Sequence, residues 1–199
     1  QSTTIEVTVE PIEVQIFADS EEITCINDEV NLTAYTNYPN ANISWTVVEG
    51  TELSEVNYNS AVATGQGIYL ISAESIDGNC SSEDVYEVFL DTLSYSALTG
   101  PEGTLNCYSE TYVLQGSSDF DDADFSWSST DGQFFGSSFM QSPTVISGGT
   151  YTLTVTNPNN GCTSTSSVEI SEDFTEPQII LGFPTGAISC ATPIVYIEG

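Results

Sequence analysis

The chain has 199 residues and contains no lysine, arginine or histidine, against 29 aspartates and glutamates, for a formal net charge of −29 at pH 7. A surface of one negative sign repels phosphate backbones and anionic lipids, so we expect neither nucleic acid nor an anionic membrane surface as a partner. With 39% hydrophobic and 11% aromatic residues, the chain carries enough apolar material to fold and is not an acidic disordered tail.

Five residues recur at a fixed offset of 82 positions, which indicates a tandem array. The first set is Cys25, Ser44, Trp45, Tyr69 and Cys80, and the second is Cys107, Ser126, Trp127, Tyr151 and Cys162. Cys190 follows Cys107 by 83 positions and marks the start of a further unit. We therefore predict the last strand of a preceding repeat in residues 1–10, repeat 1 in 11–91, repeat 2 in 92–174 and the start of a third repeat in 175–199.

Each repeat consists of short alternating or β-branched runs that are separated by glycine, proline, asparagine and aspartate. The predicted strands of repeat 1 are residues 12–17, 30–34, 43–45, 68–71 and 85–88, and those of repeat 2 are residues 112–114, 125–127, 150–155 and 168–170. No stretch has a sustained period of 3.6 residues. The pattern predicts an all-β sandwich with tight turns between the last two strands of each repeat.

The order of motifs in each repeat resembles a known family. A cysteine precedes the second strand, Ser-Trp lies on the third, Gly-x-Tyr opens the sixth, and a cysteine follows in the next turn. This is similar to the immunoglobulin-like and PKD-like repeats of giant secreted surface proteins of Bacteroidota, gliding-motility adhesins included. The resemblance covers essentially the whole chain and implies tandem immunoglobulin-like sandwiches at a cell surface, but stalks, adhesins and filaments all use this scaffold.

The cysteines allow two pairings. Paired cysteines at fixed repeat positions favour an oxidising, extracellular compartment. Tyr69 lies 11 residues before Cys80, which places this cysteine in the turn beyond the strand, away from the core bridge of antibody domains. Either each repeat is a distorted sandwich with its own bridge, Cys25–Cys80 or Cys107–Cys162, or bridges join successive repeats, as Cys25–Cys162 would.

The densest acidic cluster precedes the third strand of repeat 2 and consists of Asp119, Asp121, Asp122 and Asp124. Four carboxylates within six residues could hold Ca²⁺, which takes six to eight oxygen ligands. The equivalent loop of repeat 1 carries amides without charge. An ordinary solvated loop is therefore the alternative interpretation, and calcium is the only cofactor that the sequence suggests.

Aromatic side chains have a structural and a binding interpretation. Alternation places Ile43 beside Trp45, and Phe125 beside Trp127, on one strand face, so we predict core tryptophans and not sugar-stacking platforms. Tyr69 and Tyr151 are predicted to pack in the core with hydroxyls that reach the backbone. The cluster Phe134, Phe135 and Phe139 could form a contact patch or pack on a sheet edge.

One modification site is predicted in the segment between the repeats. Asp91-Thr92-Leu93 resembles the Asp-Ser/Thr-apolar O-glycosylation acceptor of Bacteroidota, which makes Thr92 a candidate. Short patterns of this kind are frequent by chance.

Nothing in the sequence supports catalysis. The chain has no histidine or lysine to act as a base near neutrality, and no nucleophile-elbow or acid-protease triplet. Only a carboxylate-pair mechanism, as in glycoside hydrolysis, stays open, and among 29 carboxylates some pair will be close by chance. We predict a non-enzymatic stalk or thread of a secreted bacterial adhesin or appendage, whose partners are neighbouring repeats. The alternatives are a filament subunit joined to other copies by addition of a strand such as residues 5–9, and a carbohydrate-binding module if Trp45 and Trp127 are exposed.

Overall fold

The computed structural model describes residues 10–176, which form 17 strands and no helix, and this confirms the predicted all-β class. Repeat 1 holds β1 (Val14–Ala18), β2 (Glu22–Ile23), β3 (Val30–Thr36), β4 (Asn42–Gly50), β5 (Leu53–Ser54), β6 (Ser60–Ala63), β7 (Gly67–Glu74) and β8 (Ser81–Leu90). Repeat 2 holds β9 (Leu98–Thr99), β10 (Gly103–Asn106), β11 (Tyr112–Val113), β12 (Gly116–Ser117), β13 (Asp124–Ser129), β14 (Phe134–Phe135), β15 (Thr144–Val145), β16 (Gly149–Thr156) and β17 (Thr163–Asp173).

Repeat 1 is a sandwich of two four-stranded sheets. One sheet has the order β1-β3-β6-β5 and the other has the order β2-β8-β7-β4. Neighbouring strands are antiparallel except β2, which runs parallel to the end of β8. With β1 and β2 taken as two parts of the first strand, this is the strand order of the immunoglobulin fold, in which strands A, B, E and D face strands C, F and G.

The core of repeat 1 lies between the two sheets. Alternate residues of β3 point inward, and Val30 and Leu32 are fully buried there. On the facing sheet, Tyr69, Ile71 and Ala73 of β7 are also fully buried. Burying one large aliphatic side chain is worth about 1.5–3 kcal/mol, so these alternating positions supply the main driving force for the sandwich.

Repeat 2 has the same architecture with one sheet interrupted. Its continuous sheet has the order β10-β17-β16-β13, with β10 parallel to β17, whereas the other face consists of the pieces β11-β15-β14 and β12-β9. Pro143 stands 82 positions after Ala61, which is part of the β3–β6 ladder in repeat 1. Proline has no N–H to donate to a ladder, and this accounts for the break between β11 and β12.

The offset of 82 positions also holds for a buried tyrosine at the same point of both repeats. Tyr69 is fully buried, and its single O–H is shared between the carbonyl oxygens of Gly65 at 2.8 Å and Thr51 at 3.1 Å. Tyr151 is also fully buried and makes the same two bonds 82 positions further along, at 2.7 and 3.3 Å. A tyrosine hydroxyl bonded to backbone a few residues upstream is a hallmark of immunoglobulin-type sandwiches.

Candidate functional site at the joint between the repeats

A disulfide between Cys25 and Cys162 joins the two repeats. Cys25 follows β2, in which Ile23 is in register with Leu90, so it lies where β8 leaves repeat 1. Cys162 ends the tight turn over residues 157–162 between β16 and β17 of repeat 2. Their Cα atoms are 5.0 Å apart, within the roughly 4.4–6.8 Å that a bridge requires. We call Cys25, Ile26, the linker 91–97 and this turn the joint.

The pairing within a repeat, which would link Cys25 to Cys80 and Cys107 to Cys162, is wrong. β8 begins at Ser81, beside Cys80, and ends at Leu90, beside the segment that carries Cys25. Nine steps along a strand span about 30 Å, whereas a disulfide tolerates about 7 Å between Cα atoms. The two cysteines of one repeat therefore lie at opposite ends of its sandwich.

The remaining cysteines are not bridged in the part of the chain that the structure describes. Cys80 is half-buried and Cys107 is exposed. Cys190 lies outside the described residues, as do the strand that we predict at residues 5–9 and nearly all of the third repeat.

Two buried amides of the turn hold the linker. Asn160 is fully buried, and its Nδ2 donates to the Asp91 carboxylate at 2.8 Å and to the Leu93 carbonyl oxygen at 3.0 Å. Asn157, which is 2% exposed, donates to the same carbonyl at 3.0 Å. A buried amide without partners would be costly, so these bonds tie the linker backbone to repeat 2.

Next to the disulfide, the backbone of Gly161 is in close contact with the side chain of Ile26. Gly161 has φ of 71°, a conformation that favours glycine, and a Cβ at this position would overlap the side chain of Ile26 in repeat 1. The glycine thus serves both the tight turn and the approach of the two repeats.

A tyrosine of the linker is packed into repeat 2. Tyr95 is 4% exposed and stacks on Phe120 with ring centroids 4.1 Å apart. Its hydroxyl donates to the Asp122 carboxylate at 3.3 Å and accepts from Asn159 Nδ2 at 3.4 Å, and burial raises its pKa. Ser164 Oγ donates to the Tyr95 carbonyl oxygen.

The acidic loop also forms hydrogen bonds with the linker. The Asp119 carboxylate accepts from the Ser96 backbone N–H at 2.8 Å, and this bond holds the pKa of Asp119 below its usual value. Asp122 bonds to Tyr95, while Asp121 and Asp124 complete the predicted calcium cluster. Among residues 10–176, however, no three acidic or sulfur side chains come together in a group that could hold a metal ion. The geometry gives calcium binding no support, and it stays a prediction that calorimetry with millimolar Ca²⁺ would test.

The tryptophans are packed against the cores. Trp127 is 4% exposed, and its Nε1 donates to the Gln141 carbonyl oxygen at 3.3 Å. Trp45 is half-buried against the core of repeat 1, and its buried Nε1 has no partner. Neither indole is a free stacking platform, so the condition for the carbohydrate-binding interpretation is not met.

The phenylalanine cluster of repeat 2 divides between core and surface. Phe134 packs against the core, edge-on to Tyr151, with ring centroids 5.2 Å apart. Phe135 and Phe139 are 70% and 81% exposed. The three residues therefore do not act as one patch.

Thr92 lies exposed in the linker, next to Asp91, which accepts from Asn160. Its glycosylation stays a prediction. Sequence reasoning treated residues 157–161 only as a turn and did not identify Asn157, Asn160 or Tyr95 as joint residues. No spacing signal could have found them, because repeat 1 has serine, glycine and glutamate at the equivalent positions.

The chain has no match among protein-family models, and no curated protein sequence matches it significantly. Solved structures of multidomain extracellular and capsid proteins are similar in fold at low identity. The three N-terminal domains of the outer capsid protein Hoc of bacteriophage RB49 match with 16% identity and a TM-score of 0.41, over 81% of this chain and 59% of that one. The eight N-terminal Ig domains of DSCAM match with 12% identity and a TM-score of 0.40, over 82% of this chain and 25% of that one.

Extracellular domains 3–5 of Drosophila OTK match with 11% identity and a TM-score of 0.36, over 80% of this chain and 62% of that fragment. The chain thus spans less than two thirds of the OTK and DSCAM fragments. The immunoglobulin-like assignment rests on the strand order of each sandwich and not on these scores. Within residues 10–176 there is no helix that is long and apolar enough to cross a membrane.

Proposed function

We propose that this chain is a structural repeat region of a secreted bacterial cell-surface adhesin or appendage, and that it forms part of an extended, disulfide-stabilised stalk or thread. Its partners are the neighbouring repeats of the same chain, and it has no enzymatic role. The observation that carries the proposal is the Cys25–Cys162 bridge. A bond from one sandwich to the next fixes how successive repeats are placed, and a disulfide persists in an oxidising, extracellular setting.

The linker supports a fixed spacing between repeats. Flexible linkers are rich in glycine and serine and leave their backbone in water. Here the Leu93 carbonyl oxygen accepts from two buried amides, and Tyr95 is packed into repeat 2. A thread that must hold an adhesive end away from a surface needs this kind of joint.

The charge supports separate threads. With a formal net charge of −29 and no side-chain cation, two copies repel each other when they lie side by side, and this repulsion weakens as salt shortens the screening length. Attraction between opposite charges is not available to hold a bundle together.

Small-angle X-ray scattering tests the proposal on the chain of 199 residues. In a background in which Cys80, Cys107 and Cys190 are replaced by serine, the chain with the Cys25–Cys162 bridge is compared with the variant Cys25→Ser/Cys162→Ser. We expect one narrow distribution of distances between the repeats for the bridged chain and a broader one for the variant. Both should remain monomeric at every concentration.

Two results would count against the stalk. Identical, broad distributions with and without the bridge would mean that the joint does not fix the repeats. Growth of the bridged chain into long assemblies as concentration rises would favour the filament subunit that is joined by strand addition, because that assembly needs no cysteine.

A further inference from the structure

The observed joint has a direction. Its first half is the cysteine after β2 of one repeat, and its second half is the cysteine in the turn between the last two strands of the following repeat. Cys107 and Cys80 are the same two kinds of cysteine, 82 positions away from Cys25 and Cys162 respectively. Each is at the end of its sandwich that faces away from the joint.

The turn that carries Cys107 is already formed like the turn that carries Cys25. In repeat 1, the Thr24 N–H donates to the Asn27 carbonyl oxygen at 2.7 Å. In repeat 2, the bond 82 positions further on has a length of 3.0 Å, and it is accompanied by its reciprocal bond. The residue equivalent to Ile26 is Tyr108: Ile26 contacts Gly161 in the joint and is 77% exposed there, and Tyr108 is 100% exposed.

The turn over residues 75–80 presents the other half. The Ser75 N–H donates to the Cys80 carbonyl oxygen at 2.9 Å, as the Asn157 N–H does to the Cys162 carbonyl oxygen at 2.9 Å. Gly78 has φ of 71°, and a Cβ added there would meet no atom closer than 3.4 Å. This glycine lies one position earlier than the glycine of the joint: the residue equivalent to Gly161 is Asn79, which is exposed, whereas Gly161 is in contact with the Ile26 side chain.

We propose that the turn with Cys107 and Tyr108 and the turn over residues 75–80 are complementary halves of the joint that is seen at Cys25–Cys162. The occupant of each half is another repeat of this kind, and a second copy of the chain supplies it, with Cys107 of one copy bonding to Cys80 of the other. The proposal deepens the proposed function and rests on it: in an array, each repeat is bonded to the one before and the one after.

Bond formation requires an oxidant, and an exported chain meets small-molecule or protein disulfides. With glutathione disulfide, the Cys80 thiolate attacks one sulfur, forms a mixed disulfide and releases one glutathione thiolate. The Cys107 thiolate then attacks the Cys80 sulfur, forms the Cys80–Cys107 bond and releases the second glutathione. Two protein thiols are oxidised, one glutathione disulfide is reduced to two thiols, and the two protons pass to water or to the released thiolates.

The test uses two variants of the full chain that keep the Cys25–Cys162 bridge. One, Cys80→Ser/Cys190→Ser, offers only Cys107, and the other, Cys107→Ser/Cys190→Ser, offers only Cys80. They are mixed in equal amounts in a glutathione redox buffer, and the dimers are identified by intact mass without reduction. Random pairing gives mixed and like dimers in a ratio of about 1:1, and we expect a ratio of about 10:1, a tenfold change that corresponds to ~1.4 kcal/mol.

The variant pair in which Tyr108 is also replaced by aspartate serves as the matched control, and we expect it to return to the chance ratio. Mixed dimers at the chance ratio without that change, a predominance of like pairs, or no dimers at all would overturn the proposal. Detection of the Cys25–Cys162 peptide in each variant verifies that it is folded. This outcome is separable from the scattering experiment, which contains neither Cys80 nor Cys107.

Discussion

Repeat 1 and repeat 2 place a tryptophan at the same point of the same strand, yet the indole nitrogens have different surroundings. Trp127 Nε1 donates to the Gln141 carbonyl oxygen at 3.3 Å, whereas Trp45 Nε1 is buried without a partner. The apolar positions of the two sandwiches are equivalent, but the loops that could supply a carbonyl oxygen differ. The residues that recur at the offset of 82 positions thus specify the apolar core, whereas the hydrogen-bond partners of buried polar atoms differ between the repeats.

The two turns that carry the second cysteines differ in the same manner. In repeat 1 the Asp77 carboxylate accepts from Ser75 Oγ at 2.6 Å and from Asn79 Nδ2 at 2.8 Å, so the side chains bond within the turn. In repeat 2 the side-chain amides of Asn157 and Asn160 reach out to the linker. The two turns share the bond from the first backbone N–H to the cysteine carbonyl oxygen, but their positive-φ glycines, Gly78 and Gly161, stand one position apart.

The largest expected effect comes from removing the link between the repeats. We expect Cys25→Ser/Cys162→Ser to lower the free energy of unfolding by about 2–5 kcal/mol, because the bridge closes a long loop in the unfolded chain. The two repeats should then unfold in separate transitions. Urea unfolding followed by fluorescence measures both effects. Cys80→Ser is the control, and a loss of equal size in this variant would contradict the assignment of the stability to the bridge.

The next effect concerns the buried tyrosines, where the repeats should behave alike. Tyr69→Phe and Tyr151→Phe each remove a hydroxyl that makes two bonds to backbone carbonyls. We expect each to lower the free energy of unfolding by about 1–3 kcal/mol. Since the sites are far apart, the double variant should lose the sum, within about 0.5 kcal/mol. A large loss in only one repeat would show that the two sites are not energetically equivalent.

Substitution of the tryptophans should affect the stability of the two repeats differently. Trp127→Phe removes a hydrogen bond, whereas Trp45→Phe removes an unpartnered N–H. We therefore expect Trp127→Phe to cost more, by about 1 kcal/mol, in the free energy of unfolding. Chemical denaturation of each variant measures the difference. Equal costs would indicate that water or a rearranged loop satisfies Trp45 in solution.

The smallest effect is local and depends on pH. Bonds from Ser75 and Asn79 lower the pKa of Asp77 to about 2, from the ordinary value of 3.8. Because the pKa is depressed in the folded chain, the stabilising contribution is complete above the unfolded pKa and is lost as pH falls through about 2. Amide chemical shifts of Asn79 and Cys80 should report a transition there. The turn of repeat 2, with an asparagine in place of Asp77, should show none, and a midpoint near 3.8 would refute the bonding.

Most of β3, β7 and β16 could be predicted from the sequence, because buried residues alternate with less buried ones along them. The longest strands, β4, β8 and β17, were predicted over only three or four residues each. The short strands could not be predicted. β5 and β14 have two residues each, which is too few for any period, and they form only because longer strands provide a ladder beside them.

Only part of the joint could be predicted from the sequence. The spacing between Tyr69 and Cys80 placed the second cysteine beyond its strand, which raised the pairing between repeats as one of two possibilities. Choosing between them required knowing that β2 runs parallel to the end of β8, and a strand of two residues gives no such signal. Asn157 and Asn160 were missed because amides in a turn usually stabilise that turn alone.

The Cys25–Cys162 bridge also determines how the chain would respond to tension. When the chain is pulled from its two ends, the load passes through the sulfur atoms and bypasses residues 26–161, while β1, β2 and β17 stay in its path. The bridge spans 137 positions in the sequence, so it withholds about 450–490 Å of extended chain that unfolding would otherwise release. Under flow or drag, such a thread would lengthen only through the strands outside the bridge, and the residues inside it could refold between two fixed points.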